Sequence, residues 1–297
     1  MHISRIWSVG RTIRRRETSP RFVGAPGNRS DSDNGAYTAA VEQALADPAA
    51  FARFKRDPRY TRVLEHATEE AGSRHLAALR ERAPDLVERV EAFRANDHVG
   101  GPQRFSYDGI GAISPSTLVY MRTAATLREL FGDLSAFTIA EIGVGYGGLM
   151  LVIDRLWRCR RYDLFDLPPV LELASRCLEA HVLNGAYRPM TLNRATGEEA
   201  YDLVISEWAY SELPAHLERM YADKVLARAR RGFLSMNSGR IAGQRRGKGK
   251  LTLDELREIL PPFEVLEHEP DPAPHRYRIV WGHGPHAPAV SGLQPPG

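Results

Sequence analysis

The chain has 297 residues, of which 43% are hydrophobic and 26% charged, a composition typical of a folded globular protein. No apolar run reaches the roughly 20 residues that span a bilayer, so we expect no membrane-spanning segment. The two cysteines, Cys159 and Cys177, have neither metal-ligand spacing nor flanking histidines. The spacing therefore indicates neither a disulfide framework nor a zinc site, and we expect a protein of the reducing cytoplasm.

The net charge of +3 is unevenly distributed along the chain. Residues 1–30 contain seven arginines and one acidic residue, whereas the rest of the chain is slightly acidic. A basic arm can attract nucleic acid or anionic lipid, but the polar stretch that follows this one cannot bury a core. We therefore predict a disordered leader over residues 1–35, and expect neither a membrane nor a nucleic-acid partner.

Residues 36–131 are predicted to form a helical N-terminal region. Alanine, glutamate, arginine and leucine dominate from residue 37 to 95, a turn-rich break follows at 96–102, and helical spacing returns at 114–131.

From residue 132 onwards, β-rich runs alternate with helical spacing, and a capping box from Thr252 to Glu255 opens the last helix. This alternation predicts an α/β fold with a mostly parallel, Rossmann-like sheet. A Pro-rich turn joins the last two strands and predicts a terminal antiparallel hairpin. Residues 132–283 form the predicted cofactor-binding domain, and 284–297 a Pro/Gly-rich tail. The predicted strands are 137–142, 161–165, 187–192, 201–206, 232–236, 263–268 and 276–281.

The strongest signal is a glycine-rich segment between a predicted strand and a predicted helix, Glu141-Ile-Gly143-Val-Gly145-Tyr-Gly147-Gly148. Glycines let a backbone turn tightly and approach a ligand without an intervening Cβ, and amides at the helix start meet polar groups. Gly143, Gly145 and Gly148 also fit the dinucleotide fingerprint G-x-G-x-x-G. The spacing of the glycines alone therefore leaves two candidate cofactors, NAD(P) and S-adenosylmethionine (SAM).

Polar residues follow the next three predicted strands, and ligands of such sheets bind beyond the carboxyl ends of the strands. Asp166 follows the second strand, where an acid accepts hydrogen bonds from the ribose hydroxyls of either cofactor. Asn193 follows the third strand and is a candidate contact for the adenine amino group. Ser206 ends the fourth strand and is a further candidate cofactor contact.

A hydroxyl acceptor needs a group that removes its proton, either a side chain or a metal-bound oxygen. Glu212 and His216 follow the fourth strand one helical turn apart, so we predict that they share a helix face and name both as candidate catalytic residues. His181 is another candidate base. No metal site is indicated, although a divalent metal stays open as a cofactor. The glycine- and base-rich stretch 237–250 is predicted to be a mobile loop suited to an acidic or phosphorylated substrate.

The pattern E-x-G-x-G-x-G from Glu141 to Gly147 resembles motif I of the class I SAM-dependent methyltransferases, whose seven-stranded sheet also ends in a hairpin. Residues 95–240 resemble, more narrowly, a family of bacterial sugar O-methyltransferases. The segments that carry this second resemblance are Asn96-Asp97 with Gly101-Pro102, Ser114-Pro-Ser-Thr117-Leu-Val-Tyr120, Phe165-Asp-Leu-Pro168, Tyr201-Asp-Leu-Val-Ile-Ser206 and Ala209-Tyr-Ser-Glu-Leu213.

These resemblances imply SAM as the cofactor, with the glycine loop at its methionine end and Asp166 at its ribose. They also imply methylation of a hydroxyl on a sugar or glycosylated small molecule. The alternatives are an NAD(P)-dependent oxidoreductase and a non-catalytic SAM-fold module. Methylation of a nucleic-acid amine is disfavoured, because Ser206-Glu-Trp-Ala-Tyr210 stands where such enzymes carry Asp/Asn-Pro-Pro-Tyr/Phe. A homo-oligomer is left open.

Overall fold

The computed structural model describes residues 35–237, 250–268, 270 and 276–284. Almost all of the predicted leader, the predicted tail beyond residue 284 and the basic stretch 238–249 lie outside these described residues. Within them, no helix has the length and apolar character that a membrane span requires.

The N-terminal region is helical, as predicted, but it also contains a small antiparallel hairpin, β1–β2. Ser114 caps the longest helix by accepting the amide of Thr117, and Pro115 occupies its first turn, where no amide hydrogen bond is lost. The elements are α1 Ala36–Ala46, α2 Pro48–Phe51, α3 Pro58–Thr61, α4 Glu69–Arg82, α5 Pro84–Glu88, α6 Val90–Phe93, β1 Phe105–Tyr107, β2 Gly111–Ile113 and α7 Pro115–Phe131.

The remaining strands form one seven-stranded sheet: β3 Thr138–Ile142, β4 Arg161–Phe165, β5 Tyr187–Met190, β6 Leu203–Glu207, β7 Gly232–Met236, β8 Glu264–Glu267 and β9 Tyr277–Trp281. Their spatial order is β5-β4-β3-β6-β7-β9-β8. The first five strands of this order run parallel, and β9 runs antiparallel to both β7 and β8. This order confirms the predicted Rossmann-like sheet of the class I methyltransferase type, with its terminal antiparallel hairpin.

Helices cover both faces of the sheet, so every residue of β3 and of β7 is buried. One apolar cluster joins the first face to α4, α7 and α8, and a second joins the other face to α11 and α12. The helices of this half are α8 Gly148–Leu156, α9 Pro168–Leu178, α10 Ala209–Glu212, α11 Ala215–Lys224 and α12 Leu253–Ile259.

The bounds predicted for β4 and β7 coincide with those in the structure, and the predicted capping box of α12 is present. The two short strands β1 and β2 went unpredicted, because three-residue strands around a glycine turn carry no periodic signal. The boundary between the helical region and the cofactor-binding domain, placed at residues 131 and 132, stays a prediction.

The capping box of α12 provides a stability test. Thr252 Oγ1 accepts the amide of Glu255, and the Glu255 carboxylate accepts the amide of Thr252 at 2.7 Å. Thr252→Ala should lower the free energy of unfolding by about 1 kcal/mol, because one helix-end amide loses its acceptor. Thr252→Ser keeps the hydroxyl and should stay near wild type in urea denaturation. Equal losses in both variants would contradict the assignment.

Candidate functional site

Five parallel strands end at one edge of the sheet, where β3, β4, β6 and β7 are followed directly by Gly143, Asp166, Trp208 and Asn237. Asn193 lies at the same edge, in the short turn after β5. The strand order reverses between β3 and β6, and open α/β sheets bind ligands beyond the carboxyl ends of the strands at such a switch point. This edge is therefore the candidate site.

The glycine loop between β3 and α8 needs its glycines for conformation as well as for space. Gly143, Gly145 and Gly147 have φ angles of +79°, +55° and +85°, which favour residues without a Cβ. A Cβ on Gly143 would overlap the side chain of Ala209 in α10. Gly143 is half-buried whereas Gly145 and Gly147 are buried, so the first glycine is the one that opens toward the cleft.

Asp166 holds this loop from the end of the neighbouring strand. Its carboxylate accepts the amide of Gly145 at 3.1 Å and its own neighbour's amide, that of Leu167, at 2.7 Å. Burial raises the pKa of Asp166 to about 6, although the backbone amides oppose the rise. The residue is half-buried, so it both pins the loop and faces the cleft.

Glu141 lies inside the sheet, two residues before the loop. Its carboxylate accepts the hydroxyl of Tyr162 at 2.7 Å. Burial raises the pKa of Glu141 to about 8; the Tyr162 hydrogen bond opposes this rise, and the charges of Glu207 and Asp166 add to it. Three acidic residues therefore converge beneath the glycine loop.

The two other predicted cofactor contacts occupy different surroundings. Asn193 is exposed in a short turn directly after β5, at the edge where it was predicted. Ser206 is fully buried, and its hydroxyl donates to the carbonyl of Ile142 and accepts the amide of Tyr210. The Ser206 hydroxyl thus ties β6 to the end of β3 and to α10.

Glu212 and His216 do not share a helix face, and that part of the prediction is wrong. Pro214 separates α10 from α11, and the residue before it, Leu213, is extended, as residues before proline prefer. Glu212 is half-buried and accepts the side-chain amide of Asn237 at 3.2 Å. His216 is exposed on α11, and His181 is half-buried after α9, where burial lowers its pKa.

The structure reveals a cluster at the end of β6, formed by Trp208, His268 and Arg276, to which the sequence pattern assigned no role. Trp208 has a φ of +70°, a strained angle for a non-glycine residue, and its ring lies 4.5 Å from that of His268. The Arg276 guanidinium is 5.7 Å from the Trp208 ring centroid. Glu207 accepts the hydroxyl of Thr123 at 3.2 Å, and its pKa is raised by burial.

Two of the segments that carry the family resemblance, Asn96-Asp97 and the start of α7, meet in one buried hydrogen-bond network. Asp97 accepts the Ser114 amide at 2.7 Å, the Ser114 hydroxyl at 2.6 Å and the Thr117 hydroxyl at 2.7 Å. Asn96 donates to the Thr117 hydroxyl at 2.8 Å and to the Tyr146 hydroxyl at 3.0 Å. This Asn96 network therefore links the N-terminal helices to a residue of the glycine loop.

The described residues contain no group of three or more His, Cys, Asp or Glu side chains arranged to hold a metal ion. Both cysteines are buried and free.

No family-level sequence profile matches the chain, and no curated protein is similar to it in sequence. Magnesium protoporphyrin IX methyltransferase from Synechocystis, solved with SAH, is 15% identical, with 55% of this chain and 80% of that chain covered and a TM-score of 0.41. An O-methyltransferase family 2 protein from Planctomyces limnophilus, in complex with apigenin, is 13% identical, with 56% of each chain covered and a TM-score of 0.39.

A 16S rRNA methyltransferase from T. thermophilus, in complex with AdoMet and guanosine, is 21% identical, with 60% of this chain and 44% of that chain covered and a TM-score of 0.40. Likenesses at this level are too weak to transfer a substrate or a residue role. The function therefore has to be argued from the residues of the site.

The raised pKa of Glu141 predicts a pH-dependent stability. An acid whose pKa rises on folding contributes most to stability below its unfolded pKa, near 4.5, and that contribution is lost as the pH rises through about 8. Glu141→Gln removes this titration. The variant should therefore gain a few kcal/mol on the wild type between pH 5 and pH 9 in urea denaturation. The exposed Glu172→Gln should show no such trend, and a pH-independent difference for Glu141→Gln would refute the raised pKa.

Proposed function

We propose that this chain is a SAM-dependent O-methyltransferase whose acceptor is a hydroxyl of a sugar or a glycosylated small molecule. The observation that carries the proposal is the position of the glycine loop and Asp166 at the switch point of a sheet whose last strand is antiparallel. The sugar part of the proposal is supported by the family resemblance of residues 95–240.

The residues at the edge fit SAM. The open backbone at Gly143 would meet the methionine end, the half-buried carboxylate of Asp166 would accept the ribose hydroxyls, and Asn193 would meet the adenine. Because burial raises the pKa of Glu141 to about 8, its carboxyl is mostly protonated at neutral pH, and a bound cation would favour its ionised form. When bound, SAM supplies a methyl group activated by a sulfonium, so the protein's task is to hold the acceptor in line and take up its proton.

The charge of the site favours SAM over a dinucleotide. Burial raises the pKa of Glu141, Asp166 and Glu207; the charges of the other two acids add to the rise at Glu141, and the charge of Arg278 opposes the rise at Glu207. A cationic sulfonium nearby would favour the ionised forms of these acids, whereas a pyrophosphate would disfavour them further. The antiparallel strand β9 also favours SAM over a dinucleotide, because the sheet of the class I methyltransferases ends in such a hairpin. An NAD(P)-dependent oxidoreductase and a non-catalytic SAM-binding module remain the two alternatives that binding and turnover distinguish.

For proton removal we propose Glu212 as the base, with His216 as the second candidate. The carboxylate of Glu212 lies beside Asn237, at the carboxyl end of β7, next to the strand end that carries Trp208. A base in this position works on a hydroxyl brought to the edge between β6 and β7. His216 lies further along, on the exposed surface of α11.

Calorimetric titration with S-adenosylhomocysteine (SAH) and with NADH tests the cofactor. We expect micromolar binding of SAH alone. Asp166→Asn should weaken it roughly tenfold or more, because hydrogen bonds to a charged group contribute about 1.5–3 kcal/mol. Asp133→Asn is the matched control, since Asp133 is an exposed acid before β3, at the opposite edge of the sheet. Binding of NADH alone would replace the proposal with an oxidoreductase, and binding of neither would favour a scaffold.

Turnover of Glu212→Gln and His216→Gln tests the base. SAH release is measured against a panel of nucleotide sugars and glycosides, and the best acceptor is taken forward. Loss of a general base should lower kcat about 100-fold or more while leaving SAH affinity unchanged. We expect this loss in Glu212→Gln and a smaller one in His216→Gln. Unaltered rates in both variants would show that neither side chain removes the proton.

A further inference from the structure

Glu65 occupies a strained turn that lies directly on the glycine loop. The turn follows α3, and Glu65 has a φ of +61°, a left-handed angle that is unfavourable for any residue with a Cβ. The preceding side chain, Leu64, lies so close to Gly145 that a Cβ there would come within 2.5 Å of it. Strained non-glycine residues that persist in a fold concentrate at ligand sites.

One carboxylate oxygen of Glu65 lacks a hydrogen-bond donor within the described ranges. Its Oε1 is buried and has no hydrogen-bond partner among the described residues. Burial raises the pKa of Glu65, and this rise is opposed by the charge of Lys55 and by the hydroxyls of Tyr146 and Ser116. An unsatisfied buried acceptor is costly, so the site is incomplete without a donor.

Lys55 does not supply that donor. Its ammonium is buried, donates to the backbone carbonyl of Asn96 at 2.7 Å and lies 3.7 Å from the centroid of the Tyr146 ring. The amide oxygen of Asn96 is a second buried acceptor with no partner in the described part of the chain. Two buried acceptors, Oε1 of Glu65 and the amide oxygen of Asn96, are thus left without a donor from the residues that the structure describes, beside the positive charge of Lys55, and a group with several N–H donors would satisfy both.

Aromatic side chains near Glu65 also contact the glycine loop, since a Cβ on Gly148 would come within 2.6 Å of the Tyr120 ring and 2.7 Å of the Tyr146 ring. Tyr120 is a half-buried residue of α7, and its pKa is raised by burial and by the charges of Glu65, Glu141 and Glu207 together. Glu65 thus lies beside the glycine loop, on the side that Leu64 and Tyr146 contact.

Building on the proposed function, we propose that Glu65 binds the α-ammonium group of the amino-acid tail of SAM. This group is a cation with three N–H donors, and it belongs to the methionine end that the glycine loop would hold. In this arrangement Tyr146 is a positioning residue: the Asn96 network fixes its hydroxyl beside Glu65. The N-terminal helical region thereby contributes a side chain to the cofactor site.

Binding of two matched ligands to the full-length protein tests this assignment. The ligands are SAH and its analogue with hydrogen in place of the α-amino group, titrated by calorimetry. Wild type should prefer SAH by roughly 10- to 100-fold, as expected for a charge-assisted hydrogen bond. Glu65→Gln should lose most of this preference while binding the analogue as wild type does. The exposed Glu69→Gln, four residues further on, should keep it in full.

Each result separates the two proposals. If wild type binds neither ligand, the proposed function fails and the assignment of Glu65 fails with it. If wild type binds SAH and Glu65→Gln keeps the preference, only the assignment is overturned. Equal weakening of both ligands in Glu65→Gln would also overturn it, because that outcome indicates a packing role for the turn. Glu65→Asp, which keeps the charge, should retain part of the preference and covers the case in which the glutamine variant does not fold.

Discussion

The structure depends on a stretch of bare backbone between β3 and α8. Where the loop turns, its glycines take up left-handed φ angles, and elements from distant parts of the chain pack directly onto their Cα atoms. The Ala209 side chain lies against Gly143, and that of Leu64 lies against Gly145. The loop is thus the junction of the N-terminal turn, the sheet and α10. A single added methyl group would separate elements that lie far apart in the sequence.

The acidic residues around this junction lower the free energy of unfolding of the ligand-free protein. Burial raises the pKa of Glu65, Glu141, Asp166 and Glu207, which means that each ionised carboxylate is poorly solvated where it stands. Proteins retain such a loss of stability where function requires it. A ligand that binds only the folded state stabilises that state and so offsets the loss. A cationic cofactor would favour the ionised forms of these carboxylates, so the feature that destabilises the free protein is the one that would select the ligand.

The sequence was most informative where the signal is local. Buried β-rich runs fixed β4 and β7 to the residue, and Thr252 with Glu255 fixed the start of α12. The edge that carries the glycine loop and Asp166 followed from the strand–helix alternation together with the glycine motif and the acid after the second strand. The prediction that Glu212 and His216 share a helix face failed because Pro214 keeps the residue before it extended, which ends α10 before α11 begins.

The contacts that complete the site are long-range, and no periodicity encodes them. Glu65 is 80 residues before Gly145 in the sequence, and its relation to the loop depends on how α3 and α7 pack. The strained angle of Trp208 depends likewise on the neighbouring strand, because its amide donates to the carbonyl of Ser235. The sequence motif that contains Asn96 and Asp97 supports the family resemblance, but it does not reveal that these side chains hydrogen-bond to Tyr146 and Ser114 in the folded chain.

The packing of the core bears on the relation between the two predicted regions. A single apolar cluster contains Leu79 and Phe93 from the helical region together with Ile139 and Leu203 from the sheet. Removing the N-terminal helices would expose that face of the sheet to water, at a cost that scales with the apolar area uncovered. The Asn96 network adds a polar link between the same parts, ending in Tyr146 of the glycine loop. The helical region is therefore built into the fold of the candidate site, and this packing is what places a residue from it beside the glycine loop.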